Sequence, residues 1–212
     1  MDYFIANYDR IAVSTAQHME ICGLSIAIAI ALGIPLGMLA AKIRPLAFAI
    51  LGTVSVIYTI PTLAMFGLMI PILGLGFVPA VAAIVLYSLL PVVQNTYTGI
   101  VNVPGHAVES ARGMGMSGWQ TLMRVELPLS LVVLSAGLRT AVVNAVGMGT
   151  LASLIGAGGL GDLVFRGIST VSLVVVLAGS IPVVVIAVLA DIALRKTEGW
   201  IARRTVGPGI AA

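Results

Sequence analysis

Charged side chains are scarce in this 212-residue chain: 9% of its residues are charged and 59% are hydrophobic, with a mean hydropathy of +1.13. Soluble globular proteins carry roughly 25% charged residues, so the composition excludes a soluble protein and indicates an integral membrane protein. We expect a single membrane domain over residues 1–212, because this length leaves no room for a further soluble domain of about 100 residues. Any energy source must therefore be another chain.

Cysteine and the familiar catalytic motifs are almost absent. Cys22 is the single cysteine, so an intrachain disulfide is excluded and a small buried hydrophobe is indicated. The chain has no P-loop, no G-x-S-x-G, no H-E-x-x-H and no pair of intramembrane aspartates. His106 with Glu109, or His18 with Glu20, could be drawn as metal ligands, but zinc sites need three or four. We therefore expect no enzyme activity, no cofactor and no metal.

Long uncharged runs predict the membrane spans. Residues 21–41 are uncharged and match the ~20 residues that cross the hydrocarbon core. Within them, Gly33 and Gly37 place small side chains four apart, which lets another helix approach closely. Residues 46–108 carry no charge and suffice for two spans with a turn at 71–79. The expected fold is all-α, with five spans at 21–41, 47–70, 80–101, 128–154 and 171–190 and a charged loop at 102–127.

The basic residues divide unequally between the two ends of these spans. Eight of the eleven lie after the first span, in the 102–127 loop or in the C-terminal tail, and two lie on the opposite side. The eight are Lys42, Arg44, Arg112, Arg124, Arg195, Lys196, Arg203 and Arg204, and the two are Arg10 and Arg166. Basic loops stay in the cytoplasm. We therefore predict a bacterial inner-membrane protein with Arg112 and Ala212 on the cytoplasmic side and Asp2 and Asp162 on the external side. Topology thus explains the net charge of +3, and we expect no nucleic-acid partner.

The loop between the third and fourth spans carries ESARGMGMSGWQTLMRVELP at residues 109–128. The spacing predicts a short helix over 106–114 that ends in a left-handed cap at Gly115. Ser117 can N-cap the next helix, and Pro128 fits the first turn of the following span. A short amphipathic helix held at the membrane surface between two spans is suited to press on a partner.

This spacing resembles the EAA loop of ABC importer permeases, whose pattern is E-A-A, three residues, G, nine residues, I-x-L-P. Ser110 replaces the second position of that pattern and Val125 replaces its isoleucine. The resemblance implies that the segment contacts a cytoplasmic ATPase; the alternative for Glu109 is a solvated surface charge. The implied coupling residues are His106, Glu109, Ser110, Ala111, Gly115, Leu127 and Pro128.

Three further runs resemble the osmoprotectant branch of binding-protein-dependent ABC permeases, the membrane subunits of glycine betaine, choline or carnitine importers. They are YTIPTLAMFGLMIPILGLGFVPA, LYSLLPVVQNTYTGI and ASLIGAGGLGDLVFRGI. The resemblance implies a methionine-type permease fold, a second permease subunit that is identical or homologous, two cytoplasmic ATPases and an external substrate-binding protein, all at a lipid membrane. The alternatives are an amino-acid (methionine-type) ABC permease and, more remotely, an autonomous channel or secondary carrier.

Polar residues inside the predicted spans are candidates for a translocation path. Arg139 lies ~11 residues, or ~16 Å of helix, beyond Pro128. A charge at a helix centre costs at least ~2.5–3.5 kcal/mol, so it faces protein or water. Arg139 could therefore bond to carbonyls or to Asn144, or it could line the path and favour the carboxylate of betaine over choline. The candidate path residues are Tyr58, Pro61, Asn95, Arg139 and Asn144.

Aromatic residues number only twelve, and the sequence shows no cluster of them at one membrane depth. Selective capture of a quaternary ammonium group needs an aromatic cage. We therefore expect the cage to belong to the external binding protein, and the permease itself to discriminate weakly between substrates.

The glycine-rich run GAGGLG at 156–161 matches the G-x-G-x-x-G dinucleotide fingerprint. That fingerprint requires a preceding strand and an acidic residue about twenty positions further on, where this chain has Ile181, so a dinucleotide site is rejected. We expect a loop or re-entrant segment over 155–167 with either a structural role or a role as outer gate or receptor contact. Its candidate residues are Gly156, Gly158, Gly159, Gly161 and Asp162.

Overall fold

A computed structural model describes residues 2–205, with side chains described for residues 3–203. Within that range the chain is mostly helical and has no strand, which confirms the all-α prediction. The elements are α1 Asp2–Ala6, α2 Tyr8–Lys42, α3 Arg44–Thr59, α4 Thr62–Leu73, α5 Phe77–Val101, α6 Gly105–Gly113, α7 Gly118–Thr121, a π-helical turn Leu122–Glu126, α8 Leu127–Ala152, a 3₁₀ turn Ser153–Ile155, α9 Gly161–Ser169 and α10 Leu173–Thr205. Four helices of the described chain are long and apolar enough to span a membrane, or five if α3 and α4 together form one span.

The first span is longer than predicted. We expected it over residues 21–41, but α2 begins at Tyr8, and its charged residues Asp9, Arg10 and Glu20 are all exposed. Ser14 and His18, four residues apart, are buried. Residues four apart share one face of a helix, so packing against the rest of the bundle extends α2 through a polar stretch that hydropathy alone excludes.

The second span, predicted at 47–70 with a break at Pro61, is divided into two helices, which confirms the break. It consists of α3 and α4, which meet at an angle of 101°. Proline has no amide hydrogen and disfavours a helical conformation in the residue before it. Ile60, just before Pro61, is accordingly extended, with φ −65° and ψ 127°. The hydroxyl of Tyr87 on α5 donates a hydrogen bond to the Ile60 carbonyl, so the polar backbone at the break has a partner within the protein.

The third span, α5, matches the predicted 80–101 within a few residues and lies at the centre of the bundle. It packs against α2, α3, α4 and α8. The main core cluster joins Ile21 of α2, Ile84 of α5 and Ala141 of α8, all fully buried. Small residues set the helix separation: Gly37 of α2 lies against Thr96 of α5, as the spacing of small residues in the first span predicts.

Replacing Gly37 with alanine should destabilise the bundle by about 1–3 kcal/mol, the usual cost of overpacking. The added methyl group would lie 2.5 Å from Cβ of Thr96 and 2.8 Å from the carbonyl oxygen of Val93. Gly23→Ala is the matched control on the same helix, because a methyl group there meets nothing within 4 Å. Thermal unfolding of both purified variants checks this, and equal melting temperatures would contradict the packing argument.

The fourth span begins before the predicted residue 128. Pro128 lies in the first turn of α8, as predicted, but residues from Gly118 to Ile155 form one continuous helical rod that begins before it. A proline inside a helix lacks a hydrogen-bond donor, and its ring clashes with the carbonyl four residues earlier. The π-helical turn immediately before Pro128 widens the helix, and the Leu127 amide donates to the Leu122 carbonyl. The predicted loop 102–127 therefore contains α6, α7 and this turn.

The structure also differs from the prediction in the last two segments, 155–167 and 171–190. Residues 155–167 are not a loop throughout: a glycine turn leads into the short helix α9. The fifth span, predicted at 171–190, is the start of α10, which continues to Thr205 through the charged residues that ended the prediction. Ion pairs formed by those residues, described below, account for the extension. Ala212 and the side chains of Asp2 and Arg204, which the topology prediction uses, lie outside the described part.

Candidate functional site

The helix α6 ends in a Schellman motif. The Gly115 amide donates to the Arg112 carbonyl at 2.9 Å, and the Met116 amide donates to the Ala111 carbonyl at 3.1 Å. Gly115 has φ +83°, a conformation that residues with a Cβ avoid. The predicted left-handed cap at Gly115 is therefore confirmed, and the predicted helix 106–114 is shifted by a single residue.

The next helix begins with a capping box. The Gln120 amide donates to Oγ of Ser117 at 3.3 Å, and the Ser117 amide donates to Oε1 of Gln120 at 2.8 Å. The predicted N-cap at Ser117 is confirmed, and Gln120 is a partner that the sequence analysis did not identify. Only residues 114–117 separate α6 from α7, so the two caps fix the angle between the helices.

The seven predicted coupling residues divide into an exposed and a packed group. His106, Glu109, Ser110 and Gly115 are exposed, while Ala111 is buried beneath them. Glu109 forms no ion pair with any described side chain, so its carboxylate is open to a basic group of a partner. The remaining two, Leu127 and Pro128, are half-buried at the start of α8 and belong to the rod rather than to the α6 surface.

An ion pair that the sequence analysis missed joins α2 to this region. Nζ of Lys42, the last residue of α2, donates to both carboxylate oxygens of Glu126, at 2.8 and 2.6 Å. The Lys42 side chain is 34% exposed and that of Glu126 is 6% exposed. The pair could have been predicted, because both residues were expected at the same end of the spans and carry opposite charges. The pair ties the end of the first span to the π-helical turn.

A second region forms at the break between α3 and α4. A cavity of about 530 Å³ opens there, lined by Tyr58, Pro61, Tyr87, Asn144 and their neighbours. Nδ2 of Asn144 donates to Oη of Tyr58 at 3.4 Å. The rings of Tyr58 and Tyr87 lie 5.5 Å apart between centroids, tilted by 58°. The structure thus brings three predicted path residues together and pairs two aromatic rings that are distant in the sequence.

Tyr87 was missed because its neighbours lie on other helices. It is 27 residues from Ile60 along the chain, so only the folding of α5 against the break brings the two together. Its hydroxyl has the Ile60 carbonyl as partner, while its ring packs against Tyr58. An aromatic residue within an apolar helix otherwise looks like an ordinary core residue.

Arg139 has partners that the sequence analysis did not identify. Its Nη1 lies 3.4 Å from Oδ1 of Asp191 and its Nε lies 3.7 Å from Oε2 of Glu198, both on α10. Asp191 also accepts a hydrogen bond from Arg195 at 2.9 Å. The expected bonding to carbonyls or Asn144 is therefore wrong. Arg139 also borders a depression of about 220 Å³ that shares Asn144 with the cavity. Because these side chains are part-exposed, each pair contributes about 1 kcal/mol or less.

Asn95 lies apart from the cavity. Its Nδ2 donates to the Pro91 carbonyl within α5 at 2.8 Å. Its Cβ packs against Gly137 of α8 so closely that a methyl group on Gly137 would lie 2.4 Å away. In this arrangement Asn95 serves a helix contact between α5 and α8.

The glycine run is a tight turn held by the start of α2. Gly156, Gly158 and Gly159 have φ near +80°, which is why the chain needs glycine there. The Gly159 amide donates to Oε1 of Gln17 at 3.2 Å, and Gly159 also packs against His18. Nε2 of His18 in turn donates to the Val146 carbonyl at 3.1 Å. These contacts fix the turn between α2 and α8.

The last glycine of the run, Gly161, and the following Asp162 begin α9. Gly161 is buried against the Thr150 carbonyl and Ser153, where a side chain has no room. Asp162 is exposed, and its amide donates to the Gly159 carbonyl at 3.2 Å. The contacts favour the structural role of the run, and a role as gate or receptor contact stays a prediction for exposed Asp162.

Comparison with known proteins identifies membrane components of transport systems. The family described as "Binding-protein-dependent transport system inner membrane component" matches residues 33–203. The glycine betaine/carnitine/choline transport system permease protein OpuCB of Bacillus subtilis is 37% identical over 93% of this chain and 91% of its own length. The osmoprotectant import permease protein OsmW of Salmonella typhimurium is 41% identical over 92% of this chain and 94% of its own.

Solved structures show the same fold. The MetNI methionine ABC transporter in an inward-facing conformation superposes with a TM-score of 0.83 at 18% identity, covering 90% of this chain and 96% of that one. The structure of an amino acid ABC transporter superposes with a TM-score of 0.73 at 19% identity, covering 94% and 96%. Identities this low establish the fold alone, and the predicted ABC importer permease fold is confirmed.

Proposed function

Because the chain belongs to the family of inner-membrane components of binding-protein-dependent transport systems, we propose that it is the permease subunit of an ATP-driven importer of osmoprotectants. The proposed substrates are quaternary amines: glycine betaine, carnitine and choline. The observation that carries this class is the 37–41% identity, over nine-tenths of the chain, to permeases named for osmoprotectants. An amino-acid substrate has only the 18–19% identity to amino-acid transporters in its favour. With four or five apolar spans, the protein is a multi-pass inner-membrane protein.

The exposed surface of α6 is proposed to dock a separate cytoplasmic ATPase. The chain itself has no P-loop, so ATP must be hydrolysed by a partner. Glu109 offers a carboxylate that pairs with no described side chain, on a helix whose C-terminal end is fixed by the Schellman motif. The rod that starts at Gly118 carries Asn144 26 residues further on, about 39 Å at 1.5 Å per residue. Movement of α6 and α7 with the ATPase would therefore displace the wall of the cavity.

The cavity at the break of α3 and α4 is proposed to pass the substrate. Transporters commonly place their sites where a helix is interrupted, because unwound backbone supplies polar groups there. The faces of Tyr58 and Tyr87 attract a quaternary ammonium group by cation–π interaction. Two rings form a weaker site than a full cage, which fits a permease that takes selected substrate from an external binding protein. Tyr58 and Asn144 are exposed in the single chain, so a second permease subunit, identical or homologous, would complete the path.

Reconstitution tests the proposed function. Proteoliposomes containing the permease, its ATPase and its external binding protein should take up glycine betaine, choline or carnitine when ATP is inside, and should not take up methionine. Liposomes that lack the ATPase are the control. If uptake persisted in that control, dependence on an ion gradient would identify a secondary carrier. Uptake without any such gradient would identify a channel. ATP-dependent uptake of methionine alone would favour the amino-acid permease.

Asn144→Ala should lower the rate of uptake about two- to tenfold, the equivalent of one hydrogen bond of 0.5–1.5 kcal/mol. The reason is that the Asn144 amide lies in the cavity wall beside Tyr58. Gln94→Ala is the control, since Gln94 is an exposed amide on α5 that does not line the cavity. Uptake is normalised to assembled complex, and equal rates in the two variants would remove Asn144 from the path.

We propose the orientation that the basic residues predict, with α6 in the cytoplasm and α9 outside. In sealed spheroplasts, a membrane-impermeant maleimide should label Asp162→Cys, while Arg112→Cys should react only after permeabilisation. Both positions are exposed, and the buried Cys22 makes the wild-type chain an unlabelled control. Labelling of position 112 from outside would reverse the orientation.

A further inference from the structure

An open groove runs along the outside of the bundle between the last turns of α2 and the start of the rod. Its volume is about 670 Å³. Its apolar lining consists of Pro35, Met38, Leu39, Trp119, Leu122 and Met123. The Trp119 side chain stands 64% exposed at its edge, and Leu39 and Met123 are also exposed. In water such a surface would be costly, so it calls for an apolar occupant.

One end of the groove is positively charged. Lys42 and Arg112 lie there, and no acidic residue is among those that line the groove. Arg112 is exposed, and its guanidinium pairs with no side chain that the structure describes. Lys42 holds the carboxylate of Glu126, but that carboxylate is almost fully buried while the Lys42 side chain remains 34% exposed. The groove therefore offers two cationic groups to an anion.

The apolar part of the groove and its positively charged end are separated along the axis of α2. From Lys42 to Pro35 is seven residues, about 10 Å of helix. A ligand that matches both ends must carry a negative charge and, within about 10 Å of it, an apolar chain. Indole side chains favour the membrane interface, which places Trp119 at the depth where a lipid headgroup meets its acyl chains.

We propose that this groove binds an anionic phospholipid of the cytoplasmic leaflet, with its phosphate at Arg112 and Lys42 and an acyl chain along Leu39, Leu122 and Met123. Anionic lipids of that leaflet attract basic residues near the surface. A free phosphate would leave the apolar wall bare, and a zwitterionic lipid would gain less from two cations. The site lies outside the cavity and does not depend on which substrate is transported.

A lipid bound there would contact both α2 and α6. Its phosphate would bridge the end of α2, through Lys42, and the helix α6, through Arg112. Lys42 also holds Glu126 in the π-helical turn. The lipid would thus hold α6 against the bundle, so the angle at which α6 meets its partner would depend on the anionic lipid content of the membrane.

Native mass spectrometry of the assembled complex, extracted from membranes that contain phosphatidylglycerol and phosphatidylcholine in equal amounts, tests the proposal. Wild-type chains should retain phosphatidylglycerol in preference to phosphatidylcholine. Arg112→Gln should reduce retained phosphatidylglycerol about tenfold and leave phosphatidylcholine unchanged, since a charge-assisted contact is lost. Met123→Trp, which fills the groove, should reduce both lipids.

Arg166→Gln is the matched control, because Arg166 is likewise exposed in the last turn of a short helix but lies on α9. It should retain as much phosphatidylglycerol as the wild type. Equal retention by Arg112→Gln and the wild type would overturn the proposal, as would equal retention of the two lipids by the wild type. Displacement of the lipid by millimolar inorganic phosphate would also overturn it and would indicate a plain anion site. None of these measurements uses transport, so they are independent of the proposed function.

Discussion

Replacing Gly115 with valine should reduce ATP-dependent uptake more than tenfold while the amount of permease in the membrane stays close to wild type. A Cβ at this position would meet nothing within 4 Å, so the effect arises from the backbone and not from a clash. A left-handed conformation costs residues other than glycine roughly 1–2 kcal/mol, and a β-branched side chain tolerates it poorly. Release of that strain would break the two Schellman hydrogen bonds and change the angle of α6.

Gly113→Val provides the matched comparison. Gly113 is the last residue of α6, also has no neighbour within 4 Å, and has no left-handed backbone. The same side chain there should cost no helix propensity, because valine is a better helix former than glycine, and uptake should stay within about twofold of wild type. Glu109→Ala tests the partner contact in the same assay. If Gly115→Val and Glu109→Ala both kept ATP hydrolysis coupled to uptake, α6 would not be the docking surface.

Lys42→Met should destabilise the folded permease by about 3 kcal/mol. Removing one partner of a buried ion pair leaves the other charge unpaired, which costs about 3–5 kcal/mol. We expect the lower end because Lys42 is 34% exposed, whereas Glu126 is 6% exposed and loses its only ion-pair partner among the described residues. Thermal unfolding of the purified protein and the yield of assembled complex measure the effect.

The double variant Lys42→Met with Glu126→Leu should recover most of this loss, because it removes both charges at once. Arg44→Met controls for loss of a positive charge in the same region, since Arg44 is exposed and forms no ion pair with a described side chain. That control should stay within about 0.5 kcal/mol of wild type. If the double variant were as unstable as Lys42→Met, the pairing with Glu126 would not be the source of the loss.

Features that depend on local sequence could be predicted. The apolar runs identify the spans because crossing a membrane requires ~20 apolar residues whatever they pack against. The caps at Gly115 and Ser117 follow from a left-handed glycine and a hydroxyl acceptor acting within a few residues. Pro61 marked a break for the same local reason, although the 101° angle between α3 and α4 could not be predicted.

Features that depend on distant partners could not be predicted. Asp191 is 52 residues from Arg139, and the sequence places it beyond the end of a span, so nothing local pairs them. Glu126 is 84 residues from Lys42. The start of α2 was missed because burial of His18 against α8 and the glycine turn, and not hydropathy, extends that helix. Tyr58 and Asn144 were identified as polar residues in spans, but only the bend of α3 and α4 creates the cavity between them.

The two caps on either side of residues 114–117 also bear on the order of events during synthesis. Their hydrogen bonds join residues no more than five positions apart. Helical segments form in about a microsecond, whereas a ribosome adds about 5–20 residues per second. The turn between α6 and α7 can therefore close long before the rest of the rod is translated, while the pair between Lys42 and Glu126 must wait until residue 126 has been added. A partner that joins the permease after translation meets an α6 surface whose shape was set while the chain was still being made.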